Sequence, residues 1–366
     1  MQTEITARKP LAVRRSRDLG PQFVDNPHRM VGQDGAYSFP VDAGSFWFFG
    51  DTLIGRRVEG QSLWLVDNQI AGPGDLGGRG TFEAMPNNTA LLLSCMEARD
   101  GLKDFQYLLG PDGRIRQVIE RLPDEHPDHY RIWCLHGCQL GSRVHIFYQK
   151  IHMVKEGPFP VNFEVVGVGQ ATGRVGEWRF ERLVQRGSTV WWGGEFPQFG
   201  AAVLPVREKN LAYLYGVRKA ADGTQNASVA RVRLDALTDL AAYEYLAAAG
   251  PTWSRDPAES VTLFVGPPNE LSVSFNPYLG QYLAVHSMNL SGLIVGRTSP
   301  DPWGPWSDAI PLWRVHPTRT PLTGFPNMIY AAKEHAELSR EGGRIVYVTF
   351  IEFEEYYPHL IELELE

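Results

Sequence analysis

Cysteine is scarce, with three in 366 residues. Cys95 stands alone and Cys134 and Cys138 lie close together, so no complete disulfide framework can form. This predicts a protein of a reducing compartment, and a cytoplasmic location is expected. Basic residues are also in deficit: 35 Lys and Arg face 42 Asp and Glu, for a formal net charge of −7. A nucleic-acid-binding face needs a cationic surplus, so nucleic acid is not an expected partner. The balance favours a neutral or cationic ligand over an anionic one. No apolar run reaches 18 residues, so no membrane-spanning segment is expected. Met1 to Asp18 is charged and polar, without the apolar core of a signal peptide. There is no P-loop, no Gly-x-Gly-x-x-Gly opening a helix, no Gly-x-Ser-x-Gly elbow and no His-Glu-x-x-His. No cofactor is expected.

Turn formers and aromatics are abundant: 37 Gly, 26 Pro and ten Trp. With no long polar run, the Gly and Pro point to many turns. A surplus of Trp marks packed β-layers or a surface on which sugars stack. Short apolar runs rich in β-branched and aromatic residues, bounded by Gly, Pro, Asn or Asp, read as strands. They pair across short turns into five hairpins: residues 36–41 with 45–50, 132–140 with 143–148, 200–206 with 210–216, 271–276 with 281–286, and 327–332 with 344–351. The widest gap holds extra material over 72–128. Third strands follow at 164–169, 227–234 and 292–297, each leading to a Trp. Residues 234–249 and 331–341 have helical composition but sit between strand pairs, and are read as loop turns. Repeated hairpin-plus-strand units predict one all-β domain spanning 1–366, a five-bladed β-propeller. The strand at 359–366 would lack a fourth partner, and residues 11–15 are expected to supply it, closing the ring and removing an exposed edge.

The first hairpin carries the most chemistry. Asp34 lies in Gly-Gln-Asp-Gly and Asp51 in Phe-Gly-Asp-Thr. With Asp42-Ala43 as a two-residue loop, the register sets Asp34 opposite Asp51, with β-carbons roughly 5 Å apart. Two carboxylates that close repel, so one pKa rises and an acid–base pair results. Glycosidic cleavage needs such a pair, and a spacing of about 5 Å favours the retaining course. The plain alternative is two turn-forming aspartates. The starts of the other inner strands are expected at the same mouth, offering Glu270 as a third acid and His136, Glu195, Asn276 and Asn327 as further polar groups. Tyr330 and His335 are expected to bond sugar hydroxyls, and Trp192, beside Trp191, to form a stacking platform. Cys134, His136 and Cys138 alternate along one strand. Extended spacing spreads them roughly 7 Å apart, too wide for one tetrahedral ion. No metal site is expected; they are read as buried thiols beside a channel histidine.

Gln33-Asp34-Gly35 followed by Phe49-Gly50-Asp51-Thr52 resembles the start of a family of five-bladed propeller glycoside hydrolases. That family, formerly a domain family of unknown function, includes endo-D-arabinanases. Phe275-Asn276-Pro277-Tyr278-Leu279-Gly280, the Pro-Trp-Gly-Pro-Trp-Ser segment before Asp308, and Tyr330 with His335 look similar too. The resemblance implies that Asp34 and Asp51 are the catalytic pair of a glycosidase acting on a furanoside or related glycan. Characterised members are typically exported and this chain opens without an export signal, so a small oligosaccharide or glycoside is the expected partner. The other expectations are a sugar-binding propeller without chemistry and a glycoside phosphorylase using Arg29, Arg131 or Arg218 for phosphate.

Overall fold

The computed structural model describes residues 8–57, 63–66, 69–70, 82–154, 162–317 and 328–366. Asn327 and part of the 72–128 insertion therefore lie outside the described residues. The chain is all-β. The helical elements among the described residues are three-residue 3-10 turns, including Leu234–Ala236, Leu240–Ala242 and Ala336–Leu338. Within or beside the segments of helical composition, Glu244–Ala248 and Ile329–Glu334 are strands that bury apolar residues in the sheets.

All five expected hairpins are present as antiparallel pairs. Sheet I holds Tyr37–Val41, Gly44–Phe49, Thr89–Leu93 and Phe105–Tyr107. Sheet II is built on Tyr130–Leu140, Arg143–Met153 and Phe163–Arg174; sheet III on Ala202–Val206, Leu211–Lys219 and Gln225–Arg233; sheet IV on Ser272–Asn276, Gln281–Ser287 and Leu293–Ser299. In sheet V, Ile329–Glu334 and Ile345–Glu352 are followed by Pro358–Leu365, and the N-terminal strand Val13–Pro21 pairs with that last strand. The two ends of the chain thus share one sheet, and neither leaves the C-terminal strand as a bare edge.

Sheet I sits deep because its second strand is buried on both faces. Phe46, Trp47, Phe48 and Phe49 are all 0% exposed, so this run reads as continuous apolar sequence rather than as an alternation. Phe46 and Phe48 pack toward sheets II and III, while Trp47 and Phe49 pack toward sheet V. Sheets I and V are joined by polar groups as well. Ser38 Oγ bonds His335 Nδ1 at 2.6 Å, and Ser45 Oγ donates to Glu337 at 2.7 Å. Among the described residues no helix is long and apolar enough to cross a membrane.

Candidate active site

The turn of the first hairpin has the expected two-residue loop: Val41 pairs with Gly44 and Tyr37 with Phe48. Beyond Tyr37 the ladder breaks. It resumes as a second small sheet in which Gln33 pairs with Thr52, and Thr52–Gly55 pairs on with Phe82–Ala84. Asp34 and Asp51 occupy the break. The Asp34 N–H donates to Asp51 O at 3.2 Å, but it is Gly50, not Asp51, whose N–H returns to Asp34 O, at 3.0 Å. The register is the same on either side of the break, Tyr37 with Phe48 and Gln33 with Thr52, so Asp34 stands opposite Asp51 as the two-residue turn requires. Both aspartates line a cavity of about 250 Å³.

Two glycines make room for this corner. Gly35 has φ +80°, and a Cβ there would run into Cys134 Sγ. A Cβ on Gly50 would collide with Asp34 Oδ1. Gly50→Ala is therefore expected to displace the Asp34 carboxyl. Turnover should fall on the order of 10²-fold, far more than stability does, as parallel kinetics and thermal melts would register.

Strands and loops from further parts of the chain supply the partners. Asp51 Oδ1 accepts the Asn87 amide at 2.9 Å and the Trp133 indole N–H at 3.0 Å. Asn87 is itself held by Arg121, whose guanidinium donates to Asn87 Oδ1 at 3.0 Å. Asp34 Oδ2 accepts the Tyr330 hydroxyl at 3.1 Å, and the Tyr356 hydroxyl also bonds Asp34. Glu270, at the start of the inner strand of sheet IV, pairs with Lys333 Nζ at 2.9 Å. Lys333 is 2% exposed in its side chain, lies over the Tyr37 ring and donates its second bond to Ala331 O. Trp64, Trp133, Phe163 and Phe353 give the cavity apolar walls.

Three carboxyls thus share one desolvated space, and their partners are unequal. Burial raises Asp51, but Arg131, Asn87 and Trp133 oppose that rise. Burial raises Glu270 too, against the charge and hydrogen bond of Lys333. Asp34 has phenol donors and no cation beside it. Burial, then Asp51, then Glu270 push its carboxyl up to about 8. Of the three, Asp34 is the carboxyl poised to hold a proton near neutral pH.

Asp34, Asp51, Glu270 and Tyr330 are brought together as the sequence reading expects. Five other residues are not. Asn276 ends the inner strand that Glu270 precedes, so it lies at the opposite end of the sheet. There it closes a turn, donating to Gly343 O at 2.8 Å and accepting from Leu279 N at 3.0 Å. His335 likewise lies past the far end of the strand that Tyr330 begins. It is buried, stacked on Trp47 at 4.2 Å, and bonded to Ser38 and Thr349. His136, in mid-strand, bridges Ser38 O at 2.8 Å and Val203 N at 2.9 Å, and burial lowers its pKa to about 4. Trp192 is core, 1% exposed, with its N–H donated to Tyr245 Oη at 2.6 Å. Trp191 is buried beside it. Glu195 is exposed in the turn that follows and lines no part of the cavity. Nor do Cys134, His136 and Cys138 share a face. A bulge between Cys134 and Gly137 breaks the alternation and leaves Cys134 alone at the cavity. Of the three arginines considered for phosphate, only Arg131 lines the cavity.

Sequence reasoning missed Asn87, Trp133, Tyr356 and Lys333. Lys333 had a signal, a lone lysine in the apolar run Ile-Tyr-Ala-Ala-Lys, since a cation in a buried strand demands a buried partner. The others carry no local signature.

The first hairpin of this all-β fold presents paired aspartates to an aromatic-walled cavity. The chain belongs to the family described as domain of unknown function DUF4185, which it matches over residues 38–361. No curated protein matches the chain. Among solved structures, a provisionally assigned hydrolase from Bacteroides ovatus is 18% identical, with 95% of this chain and 87% of that one covered and a TM-score of 0.62. The two share a fold. A family 43 β-xylosidase/α-arabinofuranosidase from a compost microbial metagenome, in complex with xylotriose, is 12% identical, covering 97% and 95% with a TM-score of 0.48. The family 43_1 enzyme from Xanthomonas citri, complexed with xylotriose, is 12% identical, covering 96% and 89% with a TM-score of 0.45.

Proposed function

We propose that the chain is a five-bladed propeller glycoside hydrolase, with Asp34 as proton donor and Asp51 as the carboxylate that attacks the anomeric carbon or activates water. The five hairpins, the N-terminal strand in sheet V and the Ser38–His335 link between sheets I and V support the closed ring. One observation carries the chemistry: three carboxyls meet in one cavity, and only Asp34 lacks a cation. Glycosidic cleavage needs one carboxyl protonated while its partner is ionised, and this asymmetry supplies that state near neutral pH. A furanoside-type or related oligosaccharide is the substrate class, on the resemblance of the Gln33–Gly35 and Phe49–Thr52 motifs. Asp34 and Asp51 stand opposite each other in the first hairpin, joined by the Asp34 N–H to Asp51 O bond. The short reach this gives their carboxyls supports the retaining course.

The test is reducing-sugar release from a panel of arabinofuranosides, xylosides and their oligosaccharides. Asp34 must keep its proton, so activity should fall as pH rises through about 8. Asp51 must lose its proton, and its raised pKa sets the acid limb above the usual carboxylate range, near 4. A rate that is flat across this window would remove the assignment. Proton NMR of the first-formed anomer checks stereochemistry, and inversion would transfer the second carboxylate role to Glu270. Arg131 beside Asp51 gives phosphorolysis a specific handle, so a rate that requires inorganic phosphate would change hydrolase to phosphorylase.

A further inference from the structure

Beside the catalytic cavity runs an open groove of about 590 Å³, and Met85 lines both. The chain is acidic overall, yet the described walls of this groove are cationic. They carry Arg29, Arg114 and Arg121, with Glu83 the one carboxylate, already paired with Arg29 at 2.5 Å. The Arg114 guanidinium makes no hydrogen bond or ion pair among the described residues. Arg121 uses one nitrogen, Nη1, on Asn87 and Gln117, which leaves the rest of its fork facing the groove. Ile54, Pro86 and Ile115 supply apolar surface between the charges, as the C–H face of a sugar ring requires. Arg121 also joins the two spaces, since the Asn87 it holds is the one that binds Asp51.

Resting on the glycosidase reading, we propose that this groove is a subsite for a sugar residue bearing an anionic group, a carboxylate or a phosphate, next to the residue being cleaved. Two guanidinium forks with unused donors match the planar or tetrahedral oxyanion geometry that arginine binds in bidentate fashion. The net charge of the whole chain argues the other way, toward neutral ligands. The groove is where the local distribution reverses it.

The test uses the full chain and three matched oligosaccharides, one neutral, one carrying a uronate and one a sugar phosphate at the position beside the scissile bond. Kinetics are read for the wild type and Arg114→Ala, and binding by calorimetry in Asp34→Asn, where turnover is removed. Arg114 touches none of the catalytic groups. The expected result is a KM for the charged substrates about tenfold below that of the neutral one. That advantage should vanish in Arg114→Ala with kcat unchanged, and return in part in Arg114→Lys. A preference for the uronate or for the phosphate tells the two anions apart. Equal affinity for all three substrates in the wild type would overturn the proposal, as would an Arg114→Ala loss equal for neutral and charged ligands. If no substrate is cleaved while Asp34→Asn binds the charged oligosaccharides more tightly, the hydrolase reading fails and the subsite stands.

Discussion

Asp34→Asn should abolish turnover, by 10²- to 10⁴-fold or about the full worth of a general acid, while leaving the melting temperature at or above that of the wild type. The two halves share one cause. In the unfolded chain Asp34 is an ordinary carboxyl that ionises near 4. In the fold, burial and two neighbouring carboxyls raise it to about 8. The folded state therefore holds a proton that the unfolded state has lost across that window. Its contribution to stability is fully present below about pH 4 and is lost as pH rises toward 8. Asparagine keeps the shape and the acceptor oxygen for Tyr330 and carries no such penalty. At pH 7 the variant should melt no lower than wild type, and its stability should depend less on pH between 4 and 8. Asp51→Asn should lose turnover to a similar extent, but it also discards the partner of Arg131, Asn87 and Trp133. Full activity in either variant would end the assignment of that residue.

The second large effect is expected at Lys333. Replacing it with methionine leaves Glu270 buried without its cation, beside Asp34 and Asp51. Breaking a buried pair from one side costs about 3–5 kcal/mol, so chemical denaturation should show a loss of that order and turnover should fall as Glu270 takes up a proton. The double variant Glu270→Gln with Lys333→Met removes both charges. It should recover most of the stability, and turnover should not return if Glu270 acts on substrate. A Lys333→Met protein as stable as wild type would show that the pair is not desolvated as its 2% and 13% side-chain exposures indicate.

Asn276 and His335 show why some of the expected site residues lie away from the cavity. Asn276 lies in the expected fourth hairpin and His335 in the segment expected to turn between the strands of the fifth. Glu270 and Tyr330 precede or begin inner strands and reach the cavity. Asn276 and His335 stand at the far ends of those same strands. A strand of five or six residues spans roughly 17–20 Å, so residues a few positions apart along it belong to different environments.

Local information settled a great deal. Hairpin positions, strand character, the two-residue Asp42-Ala43 turn and the pairing of an N-terminal strand, expected at 11–15 and found at Val13–Pro21, with the C-terminal strand follow from turn chemistry, apolar runs and the cost of a free edge. These are short-range or edge-matching properties, and the residues that carry them are contiguous. The closeness of Asp34 and Asp51 was legible for the same reason, since both belong to one hairpin. The tertiary structure alone decided the rest. Packing set the pair at the cavity, where their partners arrive from distant parts of the chain: Asn87 from a loop, Trp133 from sheet II, and Tyr330, Lys333 and Tyr356 from sheet V and its last turn. Which aspartate keeps its proton depends on those long-range partners and on burial, and neither is a property of any stretch of sequence around the aspartates themselves.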